Sequence, residues 1–137
     1  MFLCYGNICL SPFAAGVWNR ELGTARSAGF IESEGRTTPA TYRRLAAAHG
    51  VDLSGHGSRY ASPQLIDWAQ AIVVMDRHNL EDLRRLYPEA EERTFPLGAF
   101  LEQPRQEIED PYYLDLERAT QVYAQMHQAV TTMLSFQ

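Results

Sequence analysis

The sequence predicts an α/β fold: a three-layer sandwich whose open, four-stranded parallel sheet carries helices on both faces. Three observations lead there. Short apolar stretches alternate with capped amphipathic segments along the chain, as in repeated strand–helix–strand crossovers. Ala71–Met75 is apolar at every position, as a strand buried on both faces requires. The 137 residues, 45% hydrophobic and 21% charged, have the size and composition of one domain, residues 1–137, with no linker.

The elements follow in order. Met1–Leu3 is the first strand; only three residues precede Cys4, so it is very short, and the expectation is that this chain lacks residues that a full-length product would have. Ser11-Pro12 offers an N-cap and a first-turn proline, and Phe13, Val17, Trp18 and Leu22 continue the helix until Gly23 stops it. Ala25–Phe30 is the second strand. Thr38-Pro39 repeats the cap, with Tyr42, Leu45, Ala46 and His49 on one face and Gly50 as the stop. A short helix opens at Ser62-Pro63 and leads to the strand Ala71–Met75. A helix over Asn79–Tyr87 ends before Pro88, and Arg93–Leu97 is the fourth strand. The last helix aligns Leu116, Ala119, Tyr123, Met126, Val130 and Met133 on one face.

Charge and cysteine content exclude several classes. The net charge of −5 is spread out, and the basic residues form nothing longer than Arg43-Arg44 and Arg84-Arg85, so nucleic acid is not an expected partner. The longest apolar run is five residues, far short of the roughly twenty that cross a bilayer, so no membrane segment is expected. The amino terminus lacks a basic flank and an apolar core, so no signal peptide is read and a cytoplasmic location is expected. Two cysteines in one short loop are no disulfide framework and suit a reducing compartment.

That loop is CYGNICLSP, Cys4 to Pro12, between the first strand and the first helix. In open α/β sheets this is the ligand crevice. Backbone amides and a helix N-terminus converge there, so an anion such as phosphate is the natural occupant. Gly6 permits close approach, Asn7 tolerates left-handed dihedrals, and Ser11 offers its hydroxyl to a sulfur across the loop. A cysteine in that field is expected to have a lowered pKa, which makes Cys4 the candidate nucleophile. A metal site from Cys4, Cys9 and His56 has the wrong spacing for the usual zinc pairs, and no cofactor is called for.

The string Cys4-Tyr5-Gly6-Asn7-Ile8-Cys9-Leu10-Ser11-Pro12 resembles the C-x-G-N-x-C-R-S-P signature of the low-molecular-weight protein tyrosine phosphatases. Four further pieces match in order: SAG at Ser27–Gly29, DLSGHGSR at Asp52–Arg59, VVMDRHN at Val73–Asn79 and DPYY at Asp110–Tyr113. The resemblance implies a phosphotyrosine phosphatase I-like fold and hydrolysis of phosphotyrosine or small aryl phosphates through a cysteinyl-phosphate. It implies Cys4 as nucleophile and Asp110 as general acid, with Tyr5 to Ser11 forming the phosphate loop. Asn7, Ser11 and His56 would hold the loop in shape, Asp76 would be a supporting carboxylate, and Tyr112 and Tyr113 the aromatic rim.

Leu10 departs from the signature, which has arginine there. An aliphatic side chain cannot replace a planar guanidinium that grips two phosphate oxygens. Strongly reduced or absent activity is therefore expected, unless Arg36 or Arg59 reaches the pocket. A non-catalytic phosphate- or phosphoprotein-binding module is the alternative. An arsenate reductase, which resembles this family, needs downstream cysteines that the sequence lacks after Cys9.

Overall fold

The computed structural model describes residues 1–103 and 106–137. Four three-residue strands, β1 Phe2–Cys4, β2 Ser27–Gly29, β3 Ile72–Val74 and β4 Thr94–Pro96, overlap the four predicted stretches. They pair in parallel in the order β2-β1-β3-β4, with Leu3 opposite Ala28 on one side and Val74 on the other. Among the described residues five helices join them: α1 Ser11–Asn19, α2 Ala40–Ala47, α3 Pro63–Trp68, α4 Arg77–Leu86 and α5 Leu116–Leu134. Short 3-10 turns at Pro88–Arg93 and Leu97–Phe100 flank β4, and the sequence reading did not anticipate them.

Alternation along the strands divides the interior in two. Phe2, Cys4 and Val73 face one core with α1, α2 and α5, built on Phe13, Tyr42, Tyr123 and Met126. Leu3, Ala28, Ile72 and Val74 face the other with α3 and α4, built on Leu65, Ile66 and Leu83. This is the expected three-layer sandwich. β2 and β4 are the edge strands, and Phe95 of β4 is exposed, so the uninterrupted apolar signal is confined to the inner strands.

Several details of the sequence reading are corrected. Ser11 does not cap α1: the cap position is Leu10, no side chain bonds there, and the Ser11 hydroxyl turns to the cysteine loop instead. Thr38 does not cap α2 either; Pro39 holds the cap position and the Thr38 hydroxyl donates to the Ile8 carbonyl. In both cases the hydroxyl bonds to the cysteine loop rather than to an amide of its own first turn. α1 ends at Asn19, which leaves Leu22 exposed, and Leu116 at the start of α5 is exposed too. Ser62 does cap α3, and Asp76 starts α4 two residues earlier than predicted by accepting from the Asn79 amide.

β1 leads to β2 on one side, whereas β3 lies on its other side, so the carboxyl ends of β1 and β3 form the topological switch point where open sheets bind ligands. Gly29 at the end of β2 closes this region from behind. A Cβ there would lie 2.8 Å from the Tyr5 carbonyl oxygen and 3.0 Å from the Asn7 amide nitrogen, closer than side chains tolerate. At Gly6 a Cβ would meet nothing nearer than 3.7 Å, so the glycine that close backbone approach demands is Gly29.

Candidate active site

Residues 5 to 10 turn every carbonyl outward, and each is taken by a different group. Tyr5 O accepts from the Phe30 amide at 2.8 Å and Leu10 O from the Ala14 amide at 3.0 Å. Between them, Gly6 O accepts from Arg36 Nη2, Asn7 O pairs with His56 Nε2, Ile8 O accepts from Thr38 Oγ1, and Cys9 O accepts from the Tyr123 hydroxyl, each at 2.7 Å. Since a carbonyl acceptor needs a donor, the His56 proton is on Nε2. With the carbonyls tied outward, the amides turn inward. The Asn7 amide donates to Cys4 Sγ at 3.2 Å, and those of Gly6, Ile8 and Cys9 have no acceptor among the described residues. A ring of uncommitted amides at a helix start offers the donors that an oxyanion takes.

Asn7 is the keystone. Its φ of 54° is the left-handed region that asparagine adopts more readily than other residues with a side chain. Its side chain is fully buried and saturated: Oδ1 accepts from the Arg59 amide at 2.8 Å, while Nδ2 donates to Ser11 Oγ at 2.8 Å and Ser27 Oγ at 2.9 Å. With Ser11 Oγ accepting from Asn7, its own proton is free for Cys4 Sγ at 3.1 Å or the Ala28 carbonyl at 3.4 Å.

Cys4 is 5% exposed, and its electrostatics correct one expectation. Burial pushes the thiol up from its ordinary value; the Ser11 hydroxyl and the amides of Ser11, Asn7 and Leu10 act against that but do not reverse it. Leu10, where a fixed cation would sit, is 3% exposed and packs into the core with Phe13 and Met126. Cys9 is also pushed up, first by burial, then by Asp110 and Cys4. Both cysteines are free thiols.

Around the loop lies a cavity of about 280 Å³. Cys4 and the whole loop from Tyr5 to Leu10 line it, together with Asp76, Asp110, Tyr112 and Tyr113. Ser11 and His56 lie behind the loop and touch it through the bonds above. The Asp110 carboxylate accepts from the Tyr112 amide at 3.0 Å, a tight turn that sets its place at the rim. That turn is tied down by the Tyr42 hydroxyl, which shares its proton between the carbonyls of Pro111 at 3.1 Å and Tyr112 at 3.0 Å. Asp76 is occupied as the α4 cap, and the buried Asn79 beside it accepts from the Met75 amide at 3.0 Å.

Thr38, Tyr42, Tyr123 and Ile31 escaped the sequence reading as site residues: a tyrosine hydroxyl on a core-facing helix reads as packing until its partner is known, Thr38 reads as a helix cap, and Ile31 carries no polar signal. Of the two arginines considered, Arg36 lines the cavity, whereas Arg59 contributes its backbone amide to Asn7. Among the described residues no three His, Cys, Asp or Glu side chains cluster to hold a metal ion.

Comparison with known proteins gives this arrangement a family. The model of the low molecular weight phosphotyrosine protein phosphatase family matches residues 1–136. The chain is 30% identical over 131 residues to the low molecular weight protein-tyrosine-phosphatase Etp of Escherichia coli, covering 94% of this chain and 87% of that protein. It is also 30% identical over 115 residues to a protein-arginine-phosphatase of Geobacillus stearothermophilus, covering 82% and 77%. The fold superposes on Vibrio vulnificus Wzb in complex with benzylphosphonate with a TM-score of 0.91 at 27% identity, covering 99% of this chain and 96% of that one. Sequence and fold thus agree, and the chain belongs to the low molecular weight phosphotyrosine protein phosphatase family of hydrolases.

Proposed function

We propose that this chain, as a single domain, hydrolyses phosphotyrosine or small aryl phosphate monoesters, and does so slowly because Leu10 stands where a phosphate-binding arginine is expected. The observation that carries the reading is the loop itself, with carbonyls tied outward and free amides turned toward Cys4. An aryl group suits the rim, where Tyr5, Tyr112 and Tyr113 present aromatic faces. Free thiols at both cysteines suit the reducing cytoplasm.

In this reading Cys4, as thiolate, attacks phosphorus. The S–P bond forms as the P–O bond to the aryl group breaks, and Asp110 gives its proton to the departing phenoxide. Water then attacks the phosphocysteine, Asp110 takes back a proton, and phosphate leaves with the thiolate restored. The loop amides hold the equatorial oxygens, and the Ser11 hydroxyl donates to the sulfur when it is the leaving group. His56 and Asn7 keep the amides aimed, and Asp76 fixes the adjoining end of α4.

Phosphoryl transfer depends on positioning and charge, and arginines that stabilise its transition state are worth about a thousandfold to a hundred-thousandfold in rate. The amides alone supply a fraction of that. Turnover of an aryl phosphate by Leu10→Arg should exceed that of the unaltered chain by about a thousandfold or more. An arginine variant that is folded yet inert would overturn the proposal. Capture of phosphate or a phosphopeptide with no turnover before or after restoration would favour the binding-module alternative.

A further inference from the structure

Arg36 is the single cation among the described residues that line the cavity, where Asp76 and Asp110 are the carboxylates. Its guanidinium is fixed by two carbonyls: Nε donates to Ser33 O at 3.1 Å and Nη2 to Gly6 O at 2.7 Å. Neither bond neutralises it, and among the described residues no carboxylate pairs with it. The remaining N–H groups are therefore held in place and uncommitted. Nη1 lies 4.0 Å from where a Gly6 Cβ would project, beside Ile31 Cδ1 at 3.9 Å from the same point.

The direction of the Gly6 bond decides what Arg36 can reach. Gly6 O points away from the cradle into which the amides turn, so a guanidinium bonded to that oxygen sits outside the ring of amides. It is thus poorly placed to replace the arginine absent at position 10, but well placed for an anion beside the phosphate at the cavity mouth. A fixed guanidinium matches a carboxylate in charge and in its two-donor geometry.

We infer that Arg36 is a specificity-determining residue that takes a carboxylate flanking the phosphorylated ring, so that the chain prefers phosphotyrosine in acidic sequence. The inference rests on the phosphatase reading above. Ile31, Tyr5 and Tyr112 line the same cavity as Arg36, so a ring seated among them leaves the flanking peptide within reach of the guanidinium. At roughly 3.4 Å per extended residue, an acid within about three positions of the phosphotyrosine is in reach. The acid would compete with no internal partner, and the two cavity carboxylates would repel it from any other seat.

The test uses two phosphotyrosine peptides that differ only in glutamate or glutamine beside the modified residue, assayed on the full chain carrying Leu10→Arg so that turnover is measurable. The glutamate peptide should have a kcat/KM about fivefold higher, carried by KM, as for a partly exposed ion pair. Arg36→Gln should slow both peptides, because the Gly6 brace is lost, and bring the ratio to one; Arg36→Lys should keep part of it. Equal kcat/KM for the two peptides with Arg36 present, or a ratio unchanged in Arg36→Gln, would overturn the inference and leave the phosphatase reading standing. Failure of Leu10→Arg to hydrolyse either peptide or a simple aryl phosphate would sink that reading and the selectivity with it.

Discussion

At Cys4 burial and hydrogen bonding pull the thiol in opposite directions. A loop of amides and a helix start lower a thiol pKa, burial raises it, and here burial wins. Since the thiolate is the species that reacts, inactivation by iodoacetamide should follow a pH profile whose midpoint lies above that of an ordinary thiol. Leu10→Arg should move the midpoint down, because a cation beside the sulfur favours its charged form. A midpoint that is the same in both chains would refute this account of Leu10. Asn7 could be read from the sequence because asparagine at positive φ is a local property. The pKa of Cys4 could not, because desolvation depends on residues distant in sequence that cover it.

At the scale of elements, α2 governs the rim. Tyr42 projects from it to hold the carbonyls of Pro111 and Tyr112, and its ring stacks on Tyr112 and Tyr123 at centroid separations of 6.2 and 6.5 Å. Tyr42→Phe keeps the ring and removes the hydroxyl, so stability should fall by about 1 kcal/mol. On the Leu10→Arg background the loosened turn should slow substrates with poor leaving groups several-fold more than those with good ones. Asp110→Asn should do the same more severely. Phosphate affinity should be unchanged in Tyr42→Phe, and equal slowing for all leaving groups would dissociate Tyr42 from the acid. The helix that carries Tyr42 was legible from its apolar spacing. Its hydroxyl's purpose was not, because the acceptors lie 69 and 70 residues away.

At the scale of the whole molecule, His49, just past the end of α2, stacks on His127 of α5 at 4.9 Å and meets the edge of Phe13 at 5.6 Å. Burial, and secondarily His127, hold His49 below the ordinary histidine value. The unfolded chain therefore binds more protons around about pH 6.5, so the contribution is present above that range and lost as pH falls through it. Tm should drop between about pH 7.5 and pH 5.5. His49→Gln should reduce the drop, and a drop of equal size in that variant would assign it to other groups.

By itself the sequence determined the layers and which residues make up the cysteine loop. Apolar runs and helical spacing are local patterns, and Asn7 and Ser11 carry their conformational and hydrogen-bonding capacity in their own side chains. Only the tertiary structure decided which way the loop carbonyls face, because the donors reach them from three separate segments, Arg36 with Thr38, His56, and Tyr123. It likewise decided that Ser11 and Thr38 serve the loop rather than their own helices, and that Arg36 rather than Arg59 stands at the mouth. A hydrogen-bonding group takes the buried partner that folding brings to it, and separation along the chain does not reveal which partner that is.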